Sequence, residues 1–594
     1  MGLIPQQIWR CCLGFVGFNT GQRPDPDQSQ PPITEVRADE PPMLHLAEIP
    51  YIAIPYTKPD RLQSSKKTRE LSTIGHNEYK PIIVVSVSLD PDSSQDTTDI
   101  EIKDFISRAI TDDVLFDAFL TETVIFQGAA KHIEQFQRLL AKNPLNVTNK
   151  SGHAEKWVPK TFIPVDPLTD PIPSGPYFIG QGLRLYQAWR LYPDTHGSFV
   201  SASIPTENDL TFRPLDLRLG GICKAIAVPS RLYSKKTELK PLAGMRFSVK
   251  DNFKVAGMAT TQSNKAWCEL YQNKEDTTAA YVETLINLGA VFVGKTVMCS
   301  FASSEEATDQ WIDFPAPFNP RGDGYQSPSG STTGGGTSLA AHEWLDFSIG
   351  TDTTGSIRWP AAWAGLFGLR TTWTEGAMQG VYPACRFMDT VGILSRCIHD
   401  MDKLVSTTVP GQLDLQSEKL WPTEILYPTD FFPMANDKQE ELVAGFVEDL
   451  KSCLPIGTEV TRMSIAQYWE KNPPPEANGK PIDKYLEKAA YNPFYYDGYK
   501  EYEGFRKAYE AKFKKPVYVG PYMKWKWENG SRVTEEMVKK SNAEVQVYRR
   551  WFQERILRST AGGGTTAIML IPCGSSTPKY RDEPNKYDDS PSQQ

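Results

Sequence analysis

The run Ser329-Gly-Ser-Thr-Thr-Gly-Gly-Gly336 narrows the choice of fold more than any other stretch of this chain. Three consecutive glycines sustain neither helix nor strand by propensity, so the run reads as a small-residue loop opening a helix. A second glycine turn, Gly350-Thr-Asp-Thr-Thr-Gly-Ser-Ile-Arg-Trp-Pro-Ala361, also stands ahead of a helix. Upstream, Gly244-Met-Arg-Phe-Ser-Val-Lys-Asp-Asn252 is a short apolar strand that ends on Lys250. Around these pieces, strands such as Met245–Lys250 and Ala290–Gly294 alternate with helices such as Thr277–Leu288. That alternation belongs to a mixed or parallel sheet covered by helices. The expected class is α/β, with this domain spanning 240–580.

A length of 594 residues implies several packing units. Residues 1–45 are rich in Pro, Gln and Asp and read as a flexible lead-in. A small α/β unit is expected over 46–165. It would hold a β-branched strand at Lys80–Leu89 and helix-period residues over Ile100–Ile110 and Asp113–Asn143. A proline-punctuated linker, Thr161–Pro176, opens a linking segment over 166–239. Beyond 410 come amphipathic helices at Asp437–Leu454 and Val533–Arg558, a last strand at Ala567–Pro572 and a polar tail over 581–594.

Composition excludes several functions. Lys and Arg number 64 against 72 Asp and Glu, a net charge of -8. The broad basic field that nucleic acid demands is absent, so no nucleic-acid partner is expected. Nine cysteines contain no C-x-x-C pair, which argues against a zinc ribbon or a dense disulfide framework and for a reducing, cytoplasmic setting. Arg10 interrupts the apolar start, no signal peptide is expected, and no run of about 18 apolar residues is present to span a membrane. The seven histidines are scattered, and His342-Glu343 lacks the second His of a zincin helix. Neither a metal nor a cofactor is expected. Gly289–Thr296 spells G-x-x-x-x-G-K-T, yet a helix precedes it and its interior is an apolar strand. Gly289 therefore reads as a helix C-cap rather than a phosphate cradle.

The three loops suit acyl transfer. Ser356 lies where the backbone amides of Thr353, Thr354 and Gly355 can converge on an oxyanion. No histidine stands ready as its base, and a buried lysine is the known substitute. Bringing a lysine from about 10.4 to neutrality costs about 4–5 kcal/mol, within what burial supplies. Each loop alone reads as ordinary turn glycine and helix capping. Their order together points to chemistry.

The stretch 240–410 resembles the amidase signature family. PLAGMRFSVKDNF is similar to that family's lysine strand, STTGGG to its G-G-S-S-G-G loop, and GTDTTGSIRWPAA to its D-x-G-G-S-I-R-x-P-A nucleophile turn. Upstream, GPYFIGQGLRLYQAWRLYPDTHGSFVSASIP resembles a fungal subgroup with an extra N-terminal domain, often labelled scytalone-dehydratase-like and often found beside secondary-metabolite pathways. The resemblance implies a serine hydrolase that cleaves a small-molecule amide or ester through an acyl-enzyme. Ser356 would be the nucleophile, Lys250 the base and Thr332, 24 residues before Ser356, the bridging hydroxyl. The amides of Thr353, Thr354 and Gly355 would bind the oxyanion, and Asp352 and Arg358 would brace the turn. A buried ion pair that only holds the loop accounts for the last two equally well.

Three departures from the pattern stand out. Thr332 replaces a serine that the family holds in a cis peptide. Thr354 replaces a glycine, where a positive φ would strain a β-branched residue. Only 22 residues follow Pro572, fewer than the family usually has, which suggests a shortened domain. The competing readings are a catalytically silent scaffold that binds a metabolite, and the ammonia-delivering component of an amidotransferase.

Overall fold

A computed structural model of the chain describes residues 41–56, 74–87, 95–148 except 122 and 129, 154–165, 172–206, 210–408 except 375, 421–558 except 435, 565–574 and 577–583. Most of the expected lead-in and of the polar tail lies outside the described residues.

The seven-stranded sheet that carries the site runs in the order Phe212–Leu215, Phe199–Pro205, Val291–Thr296, Arg246–Lys250, Phe347–Asp352, Thr390–Ser395, Phe367–Arg370. Its centre is parallel: Arg246–Lys250 pairs in parallel with both Val291–Thr296 and Phe347–Asp352. The outer pairings are antiparallel. Arg246–Lys250 is buried along its whole length, as expected of a central strand covered on both faces. The carboxyl ends of the parallel strands carry Lys250 and Asp352. In open α/β sheets that edge is where ligands gather.

The triple glycine has a packing cause. The three glycines, expected in a loop, fall in the first turn of helix Thr333–Ala341, which lies flush on the sheet. A Cβ at Gly334 would sit 2.2 Å from the Ser198 carbonyl oxygen, and one at Gly335 2.7 Å from Ser348 Oγ. Only glycine permits this approach.

The first 230 residues depart from the expected layout. A nine-stranded sheet orders Met43–Leu46, Ile49–Pro55, Leu185–Pro193, Gly175–Ile179, Lys80–Ser86, Thr123–Gln127 and Thr161–Val165, with Cys223–Pro229 branching from Leu185–Pro193 and Arg218–Leu219 pairing with Cys223–Pro229. Two expectations fail here. The helical periodicity over Asp113–Asn143 splits into strand Thr123–Gln127 and helix Ala130–Lys142, because the apolar run Val124–Phe126 is buried in the sheet. The proline-marked linker holds the strand Thr161–Val165 and the start of Gly175–Ile179; Pro164 fits because its strand is at the sheet edge, and Pro176 because it stands near a strand start. The boundary expected at 165 therefore falls inside a sheet whose strands reach Pro229.

The two sheets share one apolar cluster. Tyr51, Ile52 and Phe178 of the first pack with Phe199 and Val293 of the second and with Leu339 of the helix Thr333–Ala341 that covers it. A buried guanidinium reinforces the seam: Arg246 donates to both Asp113 carboxylate oxygens at 2.6 and 2.7 Å. Arg246 opens the strand that Lys250 closes, so the N-terminal unit anchors the site's central strand. Toward the C-terminus, Glu503–Phe513 and Pro521–Ser531 pack an aromatic cluster of Phe505, Tyr509 and Trp527 around Trp267 and Phe301. A small parallel sheet joins Glu459–Met463, Glu424–Pro428 and Ala567–Met569.

Candidate active site

Lys250 is fully buried at the end of its strand. Its ammonium donates to Ser331 Oγ at 2.7 Å, to Thr351 Oγ1 at 2.9 Å and to the Thr351 carbonyl at 3.3 Å. These partners are hydroxyls and a carbonyl, and burial pushes its pKa down to about 8. Asn252 helps fix the cradle by donating to the same Thr351 hydroxyl at 3.2 Å.

The hydroxyl that meets the lysine belongs to Ser331, whereas Thr332 was expected there. The Thr332 side chain instead lodges over two glycines. A Cβ at Gly350 would lie 2.5 Å from its methyl carbon, and one at Gly335 2.8 Å. Packed in that hollow, Thr332 Oγ1 faces the Thr351 carbonyl at 3.5 Å, and its amide donates to the Ser356 carbonyl at 3.1 Å. The non-proline cis peptide is Gly330–Ser331, one position before the one the resemblance implies.

Ser356 is buried in the turn between strand Phe347–Asp352 and helix Arg358–Ala364. Its hydroxyl donates to none of the described groups. Gly355 takes the turn's left-handed conformation, with φ of 138°, while Thr354 has none, so the feared strain at Thr354 does not arise. A Cβ on Gly355 would also strike Trp359 at 2.1 Å.

Asp352 organises the turn. Its carboxylate accepts from the Gly355 amide at 3.0 Å, the Ile357 amide at 3.1 Å, Arg358 Nε at 3.1 Å and Arg358 NH2 at 3.0 Å, with Arg370 adding a bond at 3.2 Å. Burial works to raise this carboxyl, but the bonds from Arg358 and Ile357 and the Arg370 charge hold it below the ordinary carboxylate range. The Gly355 amide is thus engaged by Asp352 and does not serve an oxyanion. The amides of Thr353, Thr354 and Ser356 donate to no described acceptor. The Thr353 hydroxyl donates to Asp389 at 2.6 Å.

A sequence profile of the Amidase family matches residues 223–592, well over half of the chain. The chain belongs to the amidase family. It is 33% identical over 192 residues to Amidase 1 of Oryza sativa subsp. japonica, covering 32% of this chain and 42% of that one. It is also 30% identical over 236 residues to Amidase 1 of Arabidopsis thaliana, covering 39% and 53%. The chain thus spans about half the length of the curated relatives it matches. Among solved structures, an allophanate hydrolase of Kluyveromyces lactis aligns with a TM-score of 0.45 at 19% identity, over 61% of this chain and 54% of that one.

In this amidase-family protein the small-residue loop ahead of the triple glycine, the lysine strand and the glycine turn that carries Ser356, separate in sequence, meet at one sheet edge. Sequence reasoning passed over Ser331, Arg370 and Asp389. Ser331 stands beside Thr332, the residue that spacing selected, so the loop was found but the hydroxyl that meets Lys250 was not. Asp389 had no local signal. It reaches Thr353 because Thr390–Ser395 pairs antiparallel with Phe347–Asp352, and it also accepts from the Ala384 and Cys385 amides. The lysine of the P-loop look-alike, Lys295, is fully buried and paired with Asp251 at 2.9 Å. Gly289, at φ 94°, comes one residue after Leu288, the C-cap of helix Ala280–Asn287, and its amide donates to the Ile286 carbonyl at 2.9 Å, so it closes the helix end. Among the described residues no helix is long and apolar enough to cross a membrane.

Proposed function

We propose that this amidase-family protein hydrolyses a small-molecule carbon–nitrogen bond through an acyl-enzyme on Ser356. One observation carries the reading: a fully buried lysine, its pKa lowered to about 8, donates to the hydroxyl of Ser331 beside the nucleophile turn. In the proposed sequence Ser356 Oγ attacks the amide carbonyl. Its proton passes by way of the Ser331 hydroxyl to neutral Lys250. The oxyanion is met by the amides of Thr353, Thr354 and Ser356. Collapse of the tetrahedral intermediate breaks the C–N bond, and the proton held by Lys250 goes to the departing amine. Water then attacks the acyl-Ser356 ester, returning the acid and the free serine.

Asp352 and Arg358 act in this proposal by holding the turn, with no contact to substrate. The setting expected from sequence, a cytoplasmic enzyme acting on an unusual amide or ester of fungal secondary metabolism, stays with the proposal. The free Ser356 hydroxyl favours one second reading, a scaffold in which the relay is broken.

Intact-mass analysis after exposure to a serine-reactive fluorophosphonate separates the two. A single adduct lost in both Ser356→Ala and Lys250→Ala supports the hydrolase. No adduct on protein shown to be folded by circular dichroism supports the silent scaffold.

A further inference from the structure

Beside the loop that carries Ser331 lies a small cavity of about 30 Å³, where a single water needs on the order of 10–15 Å³. Glu305, Gln310, Ser300 and Asp313 line it, and no lysine, arginine or histidine does. Glu305 is 5% exposed, and its carboxylate has no cationic or hydrogen-bonding partner among the described residues. Ser300 Oγ and Gln310 Oε1 are buried without partners as well. Asp313 is held in place by the Lys265 amide at 2.9 Å.

Orphaned buried acceptors are costly. A compact cation with several N–H donors satisfies them together. The rings of Trp311 and Tyr518 complete the wall, and aromatic faces attract ammonium groups. A metal ion fits less well, since among the described residues no group of three or more His, Cys, Asp or Glu side chains is placed to hold one.

The cavity adjoins the catalytic loop. Gly330, the residue before Ser331, rests against the Glu305 backbone, where a Cβ would lie 3.3 Å from the Glu305 carbonyl oxygen. Cys299, between the two regions, feels both the Lys250 and the Glu305 charges.

We infer that this cavity recognises a primary ammonium group, with Glu305 as its counter-ion, and that the preferred amides carry such a group. The substrate half of this inference rests on the hydrolase reading above. The binding half is tested without catalysis, on full-length Ser356→Ala protein, by thermal melting in methylammonium chloride against tetramethylammonium chloride at equal ionic strength.

Methylammonium should raise the Tm saturably, while tetramethylammonium, which has no N–H, should not. Glu305→Gln in the same background should weaken the response at least tenfold, and Gln310→Leu, which removes a different acceptor, should weaken it less. Equal responses to the two salts, or an undiminished response in either variant, would overturn the pocket. Fluorophosphonate labelling of wild-type protein reads the hydrolase separately. A labelled Ser356 with no methylammonium response sinks the pocket alone. A methylammonium response on a protein that never labels keeps the pocket and sinks its role in substrate choice.

Discussion

Lys250 and Lys295 stand at the ends of neighbouring parallel strands, one residue out of register, with Val249 opposite Lys295 and Lys250 opposite Thr296. Both are fully buried. Lys295 faces the carboxylate of Asp251 at 2.9 Å and is further held by the Ala259 carbonyl at 3.1 Å and Thr260 Oγ1 at 2.9 Å. Among the described residues Lys250 has only the Ser331 and Thr351 oxygens. A buried lysine answered by a carboxylate is placed to hold the fold. One answered by neutral oxygens is held near the pH at which it can take up a proton. Burial is common to both lysines, so the partner decides which of them can do chemistry.

This contrast is sharpest in variants. Ser356→Ala should abolish fluorophosphonate labelling and lower any amidase turnover by about 10³-fold or more. Lys250→Met should cost on the order of 10²–10⁴-fold in labelling rate with no loss of Tm, because an apolar side chain replaces a buried charge that lacks a counter-ion. Lys295→Met should do the reverse at the level of stability: leaving Asp251 buried and unpaired should destabilise by about 3–5 kcal/mol in denaturant melts. Adding Asp251→Asn should recover much of that loss. If Lys295→Met melts like wild type while Lys250→Met unfolds, the assignment of roles is inverted.

Smaller effects test the relay. Ser331→Ala should lower the labelling rate on the order of 10²-fold, and Thr332→Val only a few-fold. The opposite ranking would restore Thr332 as the bridge. The pH dependence has a definite sign. Lys250 must be neutral to accept the proton, so the labelling rate should climb roughly tenfold per pH unit below about 8 and level off above it. A rate that falls across this range would rule Lys250 out as the base.

Much of the site was readable because its parts are local. A strand ending on lysine, glycines where a helix packs flush on a sheet, and an Asp–Arg pair bracing a tight turn each leave a mark within about a dozen residues. The P-loop look-alike could be set aside on the same grounds, since a helix precedes Gly289 and a strand fills the interior. Where the reading slipped, distant packing was responsible. The Thr161–Pro176 stretch looked like a linker because prolines punctuate it, yet Thr161–Val165 pairs with Thr123–Gln127 and Gly175–Ile179 with Lys80–Ser86. The helical period over Asp113–Asn143 concealed a strand whose burial depends on neighbours far along the chain.

The α/β class, the three loops of the candidate site and the choice of Lys250 and Ser356 as its candidate residues follow from residue order alone, because turn chemistry, capping and strand periodicity act over short spans. Which hydroxyl meets the lysine and which of two buried lysines lacks a counter-ion depend on side chains brought together from up to about a hundred residues away. Spacing along the chain carries no record of them. A glycine hollow that accepts the Thr332 methyl, and a carboxylate that finds Lys295 and not Lys250, exist only once the sheet has closed and packing has fixed the direction of each side chain.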